Sequence, residues 1–370
     1  MTASTPLAAV RLRATHDALP IAYAPGRVNL IGGHVDSHEG RVVSMAIDRG
    51  VAVGYTPRTD RRIVATSDGF DGTADLDLDH LGGATTPAWG RLLAAVAAEL
   101  HTAGVAVRGA DLRMSADLVA GGGLSSSAAC TVAVTLALLA AADTAPPEPT
   151  VLAEWCRRAE HAATGVPCGL HDPLAIATGR AGAALLIDFR AVSVEPIPLP
   201  ASIDVLVVDS GVRRTLEGSP WARRHADAHA IATKIGVASL RDADIAAVAD
   251  EPRARHVVTE IDRVGRFAAA LAHNDLEAAG ALMVASHESS RKDFETSTNE
   301  LDAIVAACLD AGAYGARLSG GGFGGCCVAI TPAGTGTAIG EQVVARYEAE
   351  FEHRAASFLV GASDRARYLD

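Results

Sequence analysis

Leu118-Val-Ala-Gly-Gly-Gly-Leu-Ser-Ser-Ser-Ala-Ala-Cys130 is the stretch on which the reading of this chain turns. Three glycines and three serines lead directly into an apolar, Ala-rich segment, Ala128 to Ala142, with the composition and length of a buried helix. Glycines let a backbone approach a polyanion, the first-turn N–H groups of a helix point at it, and the helix dipole favours negative charge there. The serines can cap the helix or offer a hydroxyl to a metal ion. On these residues alone a flexible Gly/Ser linker is an equal reading. The flanks favour the phosphate cradle, because a strand-like alternation from Ala110 to Leu118 runs in and a hydrophobic helix runs out, whereas a linker lies between polar segments.

The 370 residues, 49% of them hydrophobic, can bury a substantial core and suggest two domains. The longest apolar run, around Thr131 to Ala142, is too short and interrupted for a membrane span, and the first twenty residues hold no signal-peptide core; the expected location is the cytoplasm. A net charge of −12 without a basic run argues against nucleic acid as a partner. The six cysteines show no CxxC pairing and read as small core residues. Lys234 and Lys292 are the only lysines and neither follows a glycine loop, so a Walker-type site is excluded and any ATP cradle is of another kind.

Along the chain, Ile21 to Asp36 begins as a strand, breaks at Pro25-Gly26, and continues as a loop in which Arg27, Asn29, His34 and Asp36 alternate with Val28, Leu30 and Ile31. Polar groups interleaved with buried apolar ones need partners or a ligand. Residues 41–47, 51–55 and 62–66 alternate in period two and suggest an antiparallel sheet. Helical patterns cover 89–100, 151–163, 221–235, 254–273, 276–287 and 299–311. Strand patterns cover 181–189, 203–208, 316–319, 325–330 and 356–360. Two prolines around Ile197 to Ala201 read as a link between domains. A second glycine loop, Gly320 to Gly325, joins two of the strands.

Three motifs in order, PGRVNLIGGHVD at Pro25 to Asp36, GGGLSSSAA at Gly121 to Ala129 and SGGGFGGC at Ser319 to Cys326, resemble those of the GHMP kinases, and most closely the galactokinase branch. AEHAATGVPCGLHD at Ala159 to Asp172 resembles the galactokinase segment ending in CGIMDQ, and SHESSRKDFETSTNELD at Ser286 to Asp302 resembles another segment of that branch. The resemblance implies an α+β fold of two domains, 1–198 and 199–370, with the active site in the cleft between them. It implies an ATP-dependent, Mg2+-assisted sugar 1-kinase acting on a small-molecule sugar, without an obligatory protein partner. In phosphoryl transfer a protein mainly positions groups and neutralises charge. By the same resemblance Asp172 is the base for the anomeric hydroxyl, and Arg27 orients it and stabilises the transferred phosphoryl group. Ser127 and Glu160 match the magnesium ligands, with Ser126 a possible substitute. Gly121, Gly122, Gly123, Leu124, Ser125, Ser126, Ser127 and Ala128 hold the phosphates, with Trp89 as a wall and Gly321 and Gly322 of the second loop approaching the nucleotide or substrate. His34, Asp36, Gly33, Gly169, His171 and Trp221 are placed around the sugar.

The chain departs from the family in the sugar shell. Gly33 stands where galactokinases carry the Glu of GEHTD, which contacts the sugar's outer hydroxyl groups, notably that on C6; Ser37 replaces Tyr, His171 replaces Met and Pro173 replaces Gln. Losing a buried acceptor weakens galactose binding by about 1–3 kcal/mol unless something replaces it. L-Arabinopyranose has the ring stereochemistry of galactose without C6, so an arabinose 1-kinase is the physically motivated variant, with water or Trp221 as ways to refill the space. Mevalonate-like and homoserine-like acceptors are disfavoured by the 286–302 segment and by Cys168 to Asp172, and a uronic acid acceptor remains open. A catalytically silent sugar and ATP sensor is disfavoured by the intact Ser125 to Ala129, Arg27 and Asp172.

Overall fold

The computed structural model describes residues 19–81, 87–165, 168–213 and 220–369, without the side chains of 220–222. Strand β1 (Ile21–Ile31) is buried along its whole length between β2 (Arg41–Pro57) and the C-terminal β12 (Arg367–Leu369). Pro25-Gly26 does not end the strand: the register shifts between Pro25 and Arg27, a bulge that absorbs the missing proline N–H, and β1 continues. The expected strands 41–47 and 51–55 are one strand, β2, which passes through Gly50.

Strands β3 (Arg62–Ser67), β4 (Phe70–Asp77) and β5 (Ala110–Ala116) extend this sheet in the order β12-β1-β2-β5-β3-β4, and β2 also pairs with β6 (Ala183–Asp188), which pairs with β7 (Ser193–Pro198). The expectation of a purely antiparallel arrangement fails at β3, which runs parallel to β5. Sequence reading also misses β4, β7 and β12. The link read around Ile197 to Ala201 overlaps the end of β7, whose prolines 196 and 198 are tolerated because, among the described residues, the strand pairs only with β6 and so lies at an edge.

The second sheet, β11-β8-β10-β9, is antiparallel: β8 (Ile203–Asp209), β9 (Gly315–Leu318), β10 (Cys326–Pro332) and β11 (Ala356–Val360). Helices α1 (Gly90–Thr102), α2 (Ser126–Ala141), α3 (Pro149–Thr164) and α4 (His171–Thr178) accompany the first sheet. Helix α2 is apolar on nearly every face because it packs on β1 and β2 and against α1, α3 and α4, leaving no solvent side to mark with charge. Helices α5 (Pro220–Ile235), α6 (Pro252–Ala272), α7 (Leu276–Lys292), α8 (Asn299–Asp310) and α9 (Gly336–Glu350) belong to the second half.

One core runs under the first sheet and on to α6 and α7, where Val257, Val264, Phe267 and Met283 are fully buried, and a smaller one lies between β8–β10, α8 and α9. Because α6 packs on β1, β2 and β7, the two halves share a seam beside the loop that follows β1. No disulfide joins the six cysteines. Among the described residues no helix is long and apolar enough to cross a membrane.

Candidate active site

Arg27 sits on the bulge of β1, where its N–H donates to the Leu124 carbonyl (3.1 Å) and its Nη1 to the Gly123 carbonyl (2.7 Å). This close approach requires a glycine before it: a Cβ on Gly26 would lie 2.8 Å from the Leu124 oxygen. The same guanidinium donates Nε (2.9 Å) and Nη2 (2.6 Å) to Oδ1 of Asp172 in the first turn of α4. The other carboxylate oxygen, Oδ2, accepts from Ser125 Oγ at 2.5 Å. Ser125 caps α2 from the left-handed region, φ 59°, which turns its hydroxyl away from its own helix and onto Asp172. Burial alone would raise the Asp172 carboxyl. The Arg27 guanidinium, with His171 and the Ser125 hydroxyl, outweighs it and holds the group below the usual carboxylate range, so Asp172 is ionised at neutral pH.

Glu160, near the end of α3, is buried and receives the Ser127 hydroxyl; burial pushes its carboxyl up to about 7. Hard oxygens from a hydroxyl and a buried carboxylate are a donor set suited to Mg2+, and a divalent cation there would favour the ionised form of Glu160.

Both glycine loops meet at this point. A Cβ on Gly123 (φ +78°) would stand 2.7 Å from the Ser319 carbonyl, so the first glycine loop lies directly on the start of the second. A cavity of about 220 Å3 opens between them, lined by Arg27, Asn29, His34 and Asp36; by Gly121, Gly123 and Ser125 to Ala128; by Glu160, Cys168, Gly169, His171 and Asp172; and by His225, Gly320 and Gly321. Gly122, Leu124 and Gly322 do not line it. Leu124 is a core side chain, and a Cβ on Gly322 would lie 2.2 Å from the Thr296 carbonyl, which places Gly322 behind the loop. Trp89 lies outside the cavity, its ring 6.3 Å from Phe70 and its Nε1 donating to the Asp71 carbonyl. Trp221 falls in α5, and its side chain is outside the described residues.

At the end of the cavity nearer β1, burial pushes the Asp36 carboxyl up, and a Cβ on Gly169 would come within 2.0 Å of Asp36 Oδ2, so this glycine makes room for the carboxylate. His171, one residue before Asp172, bonds Ser44 Oγ at 2.5 Å; burial first and Arg27 second pull it down to about 4, leaving a neutral ring. The His34 ring stacks on Phe294 at 4.5 Å. Asn29 donates its Nδ2 to the Gly32 carbonyl, while its Oδ1 accepts nothing from the described residues. Sequence reading misses His225, which reaches the cavity from α5, bonds Ser37 Oγ at 3.0 Å and meets His34 edge-on. Its linear signal is a place in the second turn of a helix with a prolyl start. Gly33 itself is buried behind the cavity wall, and its N–H and that of Gly32 both donate to Glu260 Oε1 of α6 (3.1 and 2.9 Å).

Comparison with known proteins agrees with this geometry. The galactokinase galactose-binding signature matches residues 13–57, the GHMP kinases N terminal domain 91–180 and the GHMP kinases C terminal domain 267–349. The galactokinase of Chloroflexus aggregans is 42% identical over 330 residues, 85% of this chain and 84% of that protein. The galactokinase of Mycobacterium tuberculosis is 43% identical over 322 residues, covering 84% and 88% respectively. The crystal structure of Lactococcus lactis galactokinase complexed with galactose superposes with a TM-score of 0.91 at 26% identity, covering 98% of this chain and 99% of that one. A mevalonate kinase structure, at a TM-score of 0.69 and 20% identity over 93% of this chain and 99% of the other, shares the fold. An arginine-paired aspartate facing two apposed glycine loops, carried on a chain this similar over most of its length, makes the protein a member of the galactokinase family of the GHMP kinases.

Proposed function

We propose that the protein transfers the γ-phosphoryl group of ATP to the anomeric hydroxyl of galactose or a sugar with its ring stereochemistry. The observation that carries this reading is the Asp172 carboxylate, ionised, pinned by Arg27 and Ser125 and open to the cavity beside the phosphate loop. Asp172 accepts the proton as the sugar O1 forms its bond to phosphorus and the bond to the β–γ bridging oxygen breaks, giving the sugar 1-phosphate and ADP. Arg27 stays between the carboxylate and the cradle, where it neutralises charge on the moving phosphoryl group. The amides of Gly121 to Ser125 and the positive end of α2 hold the phosphates. Ser127 and Glu160 would hold Mg2+, which supplies charge neutralisation on the phosphate oxygens. Trp89, beside Phe70, is assigned to the nucleotide side and Trp221 to the sugar side; His34, Asp36 and the room left by Gly169 read the ring hydroxyls. We place the enzyme in the cytoplasm, acting on a free sugar without an obligatory protein partner, and take 1–198 and 199–370 as its domains, with β12 returning to the first sheet.

L-Arabinose is the second reading, supported by the absent side chain at Gly33. A coupled ADP-release assay across galactose and arabinose, with 31P NMR to identify an anomeric phosphate, tests both. ATP binding without turnover of any sugar would favour the silent sensor instead.

A further inference from the structure

One ring nitrogen on the cavity wall plays no part in the chemistry assigned to Asp172 and Arg27. His171 opens α4, and its imidazole lines the cavity with 12% of the side chain exposed. Nε2 is anchored: it meets Oγ of Ser44, a fully buried residue of β2, at 2.5 Å, and the ring stands edge-on to Phe189 with centroids 5.9 Å apart. Nδ1 lies 3.7 Å from Asp172 Oδ1, too far for a hydrogen bond, and makes none with any other described residue. It nevertheless keeps accessible surface. In this it differs from Nη2 of Arg317 on β9, which takes the place of a Gly33 side chain, 2.7 Å from an ideal Cβ, and is sealed in the core away from the cavity.

The charges around the ring decide which nitrogen carries its proton. Burial and Arg27 keep the imidazole neutral, so it holds a single proton. Two cavity-lining carboxylates act on it, Asp172 and Asp36, the latter packed against Gly169 two residues before His171. A lone pair on Nδ1 would face that negative charge, whereas an N–H is attracted by it. The proton therefore sits on Nδ1, and the Ser44 hydroxyl donates to Nε2. Ionised carboxylates only accept, so Nδ1–H adds a donor among acceptors. A hydroxyl bound there uses both polarities, giving its proton to a carboxylate and accepting from Nδ1. Its place on the sugar follows from the base. With the anomeric oxygen on Asp172, the adjacent sugar oxygens are the ring oxygen and the 2-hydroxyl. A donor 3.7 Å from the base reaches one of these, and the neighbouring Asp36 carboxylate binds a hydroxyl but repels a ring oxygen.

Resting on the sugar 1-kinase reading, we infer that His171 Nδ1 donates to the oxygen of the sugar's 2-hydroxyl, so that the enzyme selects acceptors with a hydroxyl at C2 over 2-deoxy sugars. The methionine of the galactokinase pattern has no proton to donate, which makes the contact a property of this chain. The reaction at C1 is unchanged, with Asp172 as the base.

The test is ADP release by the full-length protein and by H171M with D-galactose, L-arabinose and the 2-deoxy counterpart of each. The quantity read is the 2-deoxy penalty, the ratio of kcat/KM within a pair, for the sugar that turns over faster. One hydrogen bond is worth about tenfold, so the penalty shrinks by that factor in H171M. A merely structural loss lowers both members of a pair alike, and an equal penalty in the two enzymes overturns the inference while leaving the kinase standing. Because H171M strips Ser44 of its partner and can fail to fold, the wild type supplies a second measurement. NMR of the 15N-labelled enzyme shows the His171 proton on Nδ1, with a resonance that moves on adding sugar; a proton on Nε2 overturns the donor assignment. Absence of ADP with every sugar rejects the kinase reading, and this inference with it.

Discussion

Replacing Asp172 by Asn separates base chemistry from architecture. The amide keeps one carbonyl oxygen for Arg27 Nε and Nη2, now at 2.9 and 2.6 Å, and turns its NH2 towards Ser125, whose hydroxyl rotates from donor to acceptor. Shape and hydrogen-bond count survive; the charge and the ability to take a proton do not. Loss of a general base costs about 10²–10⁴ in rate, a barrier increase of about 3–5 kcal/mol. The stability loss is smaller, about 1–2 kcal/mol, because a third of the Asp172 side chain is open and solvent screens the pair on that face. Since Arg27 already holds the wild-type carboxyl below its ordinary range, the group is ionised throughout pH 5–9 and the deficit should not depend on pH there. Steady-state ADP release gives kcat, calorimetric titration with a non-hydrolysable ATP analogue gives binding, and a melting curve shows that the variant is folded. A folded D172N enzyme with kcat within tenfold of wild type would remove Asp172 from the base role.

Gly169→Ala drives a methyl group to within 2.0 Å of Asp36 Oδ2 and should raise the sugar KM at least tenfold with a lesser change in kcat; an unchanged KM would separate Asp36 from sugar binding. Glu160→Gln should raise the KM for MgATP at least tenfold and be partly rescued by excess Mg2+, read from ADP release at varied metal. His38 is buried with both ring nitrogens lacking hydrogen-bond partners among the described residues, and burial, with His229 and His225 nearby, holds it down to about 3. The unfolded chain protonates it near 6.5, so its stability contribution falls as pH drops below that value, by about 1.4 kcal/mol between pH 7.5 and 5.5. His38→Leu should remove that increment from the difference between urea midpoints at the two pH values; an unaltered difference would contradict a neutral buried His38.

Most helices were legible because their apolar period and flanking breakers are local properties. Helix α2 was the clearest, since Gly121 to Ser127 and the Ala-rich run after it carry their structural reason within a dozen residues. Strand β7 was not, because proline content speaks against a strand unless one knows that it lies at an edge, and edges exist only once a sheet is assembled. Strand β12 failed for a related cause: three residues carry no period, and its assignment depends entirely on β1 lying beside it.

The motifs by themselves determined the family and singled out the glycine loop, Arg27, Asp172, Ser127 and Glu160 as candidates, because each motif is a short constellation of consecutive residues. They also revealed that an acidic side chain is missing at Gly33. What stands in its place was decided by tertiary structure alone. Arg317 and Glu260 come from β9 and α6, more than 220 residues further along, and His225 arrives from α5. A buried position announces itself through periodicity, but which side chain it is buried against is set by how separate elements pack across the seam between the two halves, and no local pattern carries that information.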